Sequence, residues 1–468
     1  MSRVGVVPQV NSSASLLSAF TATQDEWQAY RLYTQRISST LGGPFDVGLW
    51  QKLIIQISHA DAAVRNGVFC LGNLFRHGAD GSNSHISICS CSRCVQALRS
   101  YNKAIASFAN RSARVEDPVP LNAALASCAL FICIEYYRKN DRNAIALIDK
   151  GCAMLVEYFR QSLDVRTGDI EPGLLNLFAR LRTLSASFGQ PVHWPLSTQY
   201  SALKSTQEPL PSQLERARSS LYDIMTALLR LRRRSAETLI ELWASRTCIP
   251  IEELRQERDL LASSLQIWNE KFVELQTALQ SGPPELSLPA LILYGHFLKT
   301  RIYTEASLEL SQDCYDAYLP EFEAVAEAAE IGLRQLSAAN QTTNFSFESC
   351  FLGTLYLCAL RCRQPAVRRR LVELMRLCRE KEGLWHRGEN ITVVSRVMEL
   401  EEGRAEFIPT SNAHIGADFR GPPRFHEVLC EVNYVVEGKT MVDATYVLYQ
   451  EHSEHKWLAM KETLVVDG

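Results

Sequence analysis

A chain of 468 residues, 46% hydrophobic and 22% charged, can bury a large core and has the balance of a soluble globular protein. A formal net charge of −3 excludes a surface dominated by basic groups, so bulk attraction to nucleic acid is not implied. No run approaches the ~18 apolar residues of a membrane helix, and the N-terminus lacks a secretory apolar stretch.

Many of the fourteen cysteines, among them Cys128, Cys133, Cys152, Cys350, Cys358 and Cys362, sit inside apolar helical runs, where a free thiol acts as a small hydrophobe. A reducing compartment is expected, cytoplasm or nucleus.

In chain order, residues 1–24 read as a flexible N-terminal segment. Residues 25–403 read as one helical region and residues 404–468 as a loop and a small β-strand cap. Asp61 can cap a helix that carries Val64, Val68, Leu71 and Phe75 along one stripe. From Leu121, "LNAALASCALFICIEYY" is apolar nearly all round, as in a buried helix. "RKND" breaks it, and Ile145, Ile148, Cys152, Leu155 and Phe159 then mark one face of an amphipathic helix. The two runs predict an antiparallel helical hairpin.

Turn-forming clusters fall at Gly78–Ser87, Asn110–Pro120, Gly189–Pro211, Ser281–Pro289 and Gly403–Pro423, with no fixed repeat between them. "VLCEVNYVVEGKTMVDATYVLYQ" and "ETLVVDG" read as two or three antiparallel strands closing the chain. The fold class expected is all-α: an irregular array of antiparallel helical hairpins with a small C-terminal antiparallel β element.

Chemistry is sparse. "HISICSCSRC" places His85, Cys89, Cys91 and Cys94 within ten residues. These are the right types for tetrahedral zinc, but Cys89 and Cys91 are awkwardly close for one ion and no second ligand pair closes a fold. A polar loop entering a helix is the plainer reading.

Arg230, Arg232, Arg233 and Arg234, and the run Arg368–Arg370, suit either an import signal or phosphate patch, or the solvated face of a helix. Glu135, on an apolar helix, suits a half-buried acid or a helix-locking ion pair. His452 and His455 read as part of a surface turn, and the adjacent Glu401 and Glu402 point apart on a helix. No hydrolase elbow, phosphate loop, dinucleotide fingerprint or zinc-protease motif occurs. The residues therefore mark no catalytic, cofactor-binding or metal site and imply no cofactor.

Segment order adds a resemblance. "GGPFDVGLWQKLIIQISHADAAVRNGVFCLGNL", "ALRSYNKAI", "LASCALFICIEYYRKNDRNAIALIDKGCAML", "LLNLFARLRTLSASFG" and "DCYDAYLPEFE" follow one another. They lead to "CRQPAVRRRLVELMRLCREKEGLWHRGENITVVSRVMELEEG", Cys362 to Gly403. In this order they resemble the fungal-specific transcription factor domain, the regulatory region of fungal zinc-cluster transcription factors.

The resemblance implies a helical, nuclear regulator of transcription acting on other regulators, on itself or through a small-molecule effector, with a metabolic gene cluster as a plausible setting. The family reads DNA with a separate six-cysteine cluster that this sequence lacks, so no direct DNA binding is expected. Loss of that module, truncation of the chain, and reuse of the scaffold as an enzyme or small-molecule binding protein all remain open. For a pocket of the last kind, Glu135, Tyr136, Tyr101 and His59 are candidates.

Overall fold

Apolar spacing and a few capping side chains decide where the helices run. The computed structural model describes residues 21–78, 91–112, 120–161, 170–190, 210–243, 251–279, 286–338, 344–404, 423–431, 433–449 and 457–466. The chain is mostly α-helical with a small antiparallel sheet at its C-terminal end. The expected N-terminal flexible segment lies outside the described residues as far as position 20. Contacts divide the chain into two compact units. The smaller comprises Met1–Gly42, Asp46–Asn140 and Thr167–Leu174; the larger comprises Gly43–Phe45, Asp141–Arg166 and Leu175–Gly468.

In the smaller unit, α1 (Gln24–Leu32) starts with a reciprocal cap. Thr23 Oγ1 accepts from the Glu26 backbone N–H, and the Glu26 carboxylate accepts from that of Thr23. After α2 (Ser38–Gly42) and α3 (Ile54–Ala60), Asp61 caps α4 (Ala62–Gly78) as its sequence position suggests: Oδ1 accepts from Val64 N at 3.0 Å. Its other oxygen takes Arg111 of α5 (Ser92–Ser112) at 2.9 Å. The apolar run from Leu121 forms α6 (Leu121–Tyr137), buried on every side from Ala123 to Tyr136. Lys139, with φ of 58°, ends it in a left-handed turn, and Asn140 N donates back to Glu135 O.

The amphipathic run forms α7 (Asp141–Gln161) in the larger unit, so the expected hairpin is divided: both runs are helices, but the unit boundary passes between Asn140 and Asp141. The physical reason lies in their neighbours. Helix α6 fills its all-round apolar surface with α3, α4 and α5, whereas α7 packs Gly151 against Phe178 of α8 (Pro172–Ser187).

Helices α9 (Leu210–Trp243), α10 (Ile251–Leu279) and α11 (Leu288–Glu305) follow. Trp268 of α10 donates to Ala217 O of α9 and stacks on Phe297 of α11. The turn expected at Ser281–Pro289 ends early, because Pro289 sits in the first turn of α11, where a missing N–H costs no helical bond. Then come α12 (Leu319–Ala338), α13 (Leu352–Arg361), α14 (Pro365–Leu377) and α15 (Arg387–Glu401).

Two sheets complete the larger unit. Short strands β1 (Phe345–Ser346), β2 (Lys381–Glu382) and β3 (Trp385–His386), which periodicity does not announce, form a three-stranded sheet. At the C-terminal end, β6 (Lys439–Tyr449) pairs antiparallel with β4 (Phe425–Cys430), β5 (Tyr434–Val436) and β7 (Trp457–Val465). The "EGK" turn joins β5 to β6 through Glu437 and Gly438, both with positive φ. One buried apolar cluster runs from Ala217 in α9 to Met460 in β7. No described helix is long and apolar enough to cross a membrane.

Candidate functional site

Of the cysteine-rich loop, His85 and Cys89 lie outside the described residues. Cys94 is buried in α5, and its backbone N–H donates to Cys91 Sγ. No group of three or more metal-capable side chains occurs among the described residues. His452 and His455 also lie outside them.

The four pocket candidates all fall in the smaller unit. Tyr101 and Glu135 meet: burial first, then the carboxylate beside it, raises the Tyr101 pKa. Glu135 also holds Arg138 at 3.1 Å. His59 is apart from them against Tyr30, whose hydroxyl lies 3.2 Å from Nε2. Tyr136 is fully buried. None of the four lines either cavity described below.

Six of the seven arginines in the two runs, all but Arg230, are seen to pair with carboxylates among the described residues. Arg232 pairs with Glu427, Arg233 with Glu237 at 3.1 Å, and Arg234 with Glu257. Arg368 is buried and reaches Glu401 at 2.7 Å, while Arg369 and Arg370 take Glu402 and Glu330. Glu401 and Glu402 do point apart, but Glu401 also takes Arg363 at 2.7 Å, so its one carboxylate is shared by two guanidinium groups.

The larger unit holds a partly open cavity of about 530 Å³. Met225, Leu228 and Leu229 of α9, Leu357 and Leu360 of α13, and Val393 of α15 give it an apolar body. Trp385 of β3 forms part of the wall, set by two contacts. Its ring packs 4.7 Å from that of Phe188, and it lies flat enough on α13 that a Cβ on Gly353 would come within 2.5 Å of it. Only glycine permits that approach.

The hairpin that carries Trp385, "KEGLWH", organises one side of the cavity. Gly383 turns it with φ of 58°. The register pairs Lys381 with His386, so both side chains reach Asp141 at the start of α7. Lys381 Nζ lies 2.5 Å from Oδ1, and His386 Nε2 lies 2.5 Å from Oδ2. Burial alone would raise the Asp141 pKa, but Lys381 and then His386 outweigh it and hold it at about 2. His386 Nδ1 faces Glu389 at 3.4 Å, so both ring nitrogens are engaged. Glu382, pushed up by burial, accepts from the backbone N–H groups of Cys350 and Leu352 and so caps α13.

The opposite side is cationic. Arg232 and Arg361 share the single carboxylate of Glu427, and their guanidinium carbons lie 4.7 and 5.8 Å from the centre of the Tyr303 ring. Arg361 also donates to Gln312 Oε1 and Phe425 O, which fixes its head. Lys299 lies one turn from Tyr303 on α11 and lines both the cavity and a smaller recess of about 40 Å³ beside His296. It has no carboxylate partner among the described residues. Burial pulls its pKa down to about 8, with Cys358 countering. Burial, then Lys299 itself, keeps His296 neutral at about 3, with Nε2 against Cys350 O.

This arrangement can hold an apolar body against Leu and Val side chains and offer a cation at one end. Sequence reading did not single out Lys299, Tyr303, Tyr356, Trp385 or Glu427. A signal existed for Lys299: "LPALILYGHFLKTRIYTE" is buried nearly all round, and a lysine within such a run is uncommon.

Comparison of the chain with protein-family models, with curated proteins and with solved structures finds no match in any of the three.

Proposed function

We propose that the chain is a transcription-regulator-like protein, without its own DNA-binding zinc cluster, that responds to a small molecule held in the larger unit. The cavity of about 530 Å³ carries this reading, because ligand sites fall in the range of about 300–1,000 Å³, mostly apolar with a few placed polar groups. The ordered blocks that resemble the fungal-specific transcription factor domain supply the setting. They point to a nuclear protein that contacts other regulators or a second copy of itself, does not touch DNA or membrane directly, and serves a metabolic gene cluster. Regulation then requires that the effector bind two arrangements of the helices with different affinity.

A second reading, an enzyme on the same scaffold, has one observation in its favour: the Asp141–His386–Lys381 cluster at the cavity edge has the composition of an acid–base site. Its geometry favours the regulator, since carboxylates face both nitrogens of His386 and leave no face for a substrate.

The test joins the full chain to an unrelated DNA-binding domain and reads a reporter gene, with Leu229→Trp filling the cavity. The expected result is nuclear accumulation and a reporter output that the substitution changes at equal protein abundance. Reporter silence from both proteins, with time-dependent consumption of a metabolite from a fungal extract, would overturn the proposal in favour of the enzyme.

A further inference from the structure

The cationic side of the cavity has one carboxylate for two arginines. Arg232 from α9 and Arg361 from α13 are both directed at Glu427 of β4, which can balance one of them. Lys299 is a third cation lining the cavity, half-buried and with no carboxylate against it among the described residues. The acids elsewhere around the cavity are engaged. Asp141 is neutralised by Lys381, Glu431 by Lys461 at 2.6 Å, and Glu389 accepts from Asn433 and faces His386. The other titratable groups near Lys299 bring no negative charge at neutral pH. Burial holds the Cys358 thiol at about 12, raises Tyr303 and Tyr356, and keeps His296 neutral.

A charge half-withdrawn from water against an apolar wall, without a partner, loses part of its hydration uncompensated. A bound anion offsets that loss, and the same anion gains from low local dielectric. The apolar floor formed by Met225, Leu228 and Leu357 suits a hydrocarbon or aromatic body.

We infer that the ligand of this cavity is an amphipathic organic anion: an apolar body of drug-like size bearing one carboxylate or sulfonate, seated on the ammonium of Lys299. This rests on the cavity being a ligand site. It adds the chemical class and names the residue that selects it.

Two fluorescent probes with the same aromatic body separate the two ideas. Anilinonaphthalenesulfonate carries the anion; phenylnaphthylamine does not. Both are titrated into the full chain, into Lys299→Met and Lys299→Arg, and into Leu229→Trp as the control for binding in this cavity. The sulfonate is expected to bind the unaltered chain more tightly than the neutral probe by about tenfold, the worth of a charge-assisted hydrogen bond. Lys299→Met removes that margin and leaves the neutral probe unaffected, Lys299→Arg keeps most of it, and Leu229→Trp excludes both probes. Raising the pH through about 8, where the amine loses its proton, weakens the sulfonate alone. Equal affinity for both probes, unchanged in Lys299→Met, would overturn the inference and leave the cavity as a ligand site. Failure of both probes to bind the unaltered chain would overturn the cavity reading and the inference with it.

Discussion

Arg368, buried, and Lys299, half-buried on the cavity wall, both carry charge within the larger unit, yet their surroundings are opposite. Arg368 sits beneath α13, where Nε donates to Ala359 O and the Glu401 carboxylate meets it at 2.7 Å. Glu401 is closed from the other side by Arg363 and by the Phe425 backbone N–H. That cluster joins α13, α14, α15 and β4 through one carboxylate shared by two arginines. Lys299 has a cavity where Arg368 has a carboxylate. A buried ionic group with its partners in place reads as architecture; one that faces empty volume without a partner reads as half of a binding interaction.

The largest test of this contrast removes Glu401. Glu401→Ala leaves Arg363 and Arg368 buried without their anion and is expected to cost about 3–5 kcal/mol in chemical denaturation of the larger unit. A loss below about 1 kcal/mol would mean that the cluster is not closed as described.

A smaller effect is expected where Lys381 meets Asp141. The Asp141 pKa is depressed from 3.8 to about 2, so its contribution is present above the unfolded value and is lost as the pH falls through about 2. Lys381→Met is expected to lower neutral-pH stability by about 2 kcal/mol and to flatten the acid limb of the stability profile. An unchanged acid limb would count against the ion pair.

Lys299 should behave in the other direction. Its pKa is depressed as well, but for an amine that means the unfolded chain binds more protons between about 8 and the ordinary value of 10.5. Stability therefore rises with pH across that window. Lys299→Met is expected to abolish the rise and to leave the unliganded protein as stable at neutral pH or more so, by about 1 kcal/mol at most. A clear loss of stability would show that Lys299 has a structural partner. Arg233, exposed and paired with Glu237 at 3.1 Å along α9, sets the floor: Arg233→Ala should shift stability by under about 0.5 kcal/mol.

These regions also show what could be read in the sequence. Helix α6 was legible because a buried helix must be apolar all round, and the Asp61 cap because a short acid before an apolar stripe has few other uses. The C-terminal sheet was legible from Val, Thr and Tyr around "EGK", but as two or three strands where four form, because the first extended run breaks near Glu431 into β4 and β5. The division between α6 and α7 was not, because periodicity reveals an apolar face without naming the helix it packs on. The "KEGLWH" hairpin was hidden for a related reason. Strands of two residues have no period, and the roles of Lys381 and His386 depend on Asp141, 240 positions away for the lysine. The cavity needed α7, α9, α11, α13, α15 and β4 to be placed together, and no local pattern encodes that. The arginine runs drew attention through their density, yet the cavity-lining cation with no carboxylate partner among the described residues is a lysine in an apolar helix.

The measurement closest to the central claim is lysine labelling of the full chain by a neutral acylating reagent near pH 8, mapped by mass spectrometry with and without anilinonaphthalenesulfonate. An amine titrating at about 8 is largely nucleophilic under conditions that leave ordinary lysines protonated. The expected result is that Lys299 labels ahead of the surface lysines and that the bound probe suppresses its labelling. Labelling of Lys299 at the same rate with the probe bound would contradict the assignment of this cavity as the anion's site.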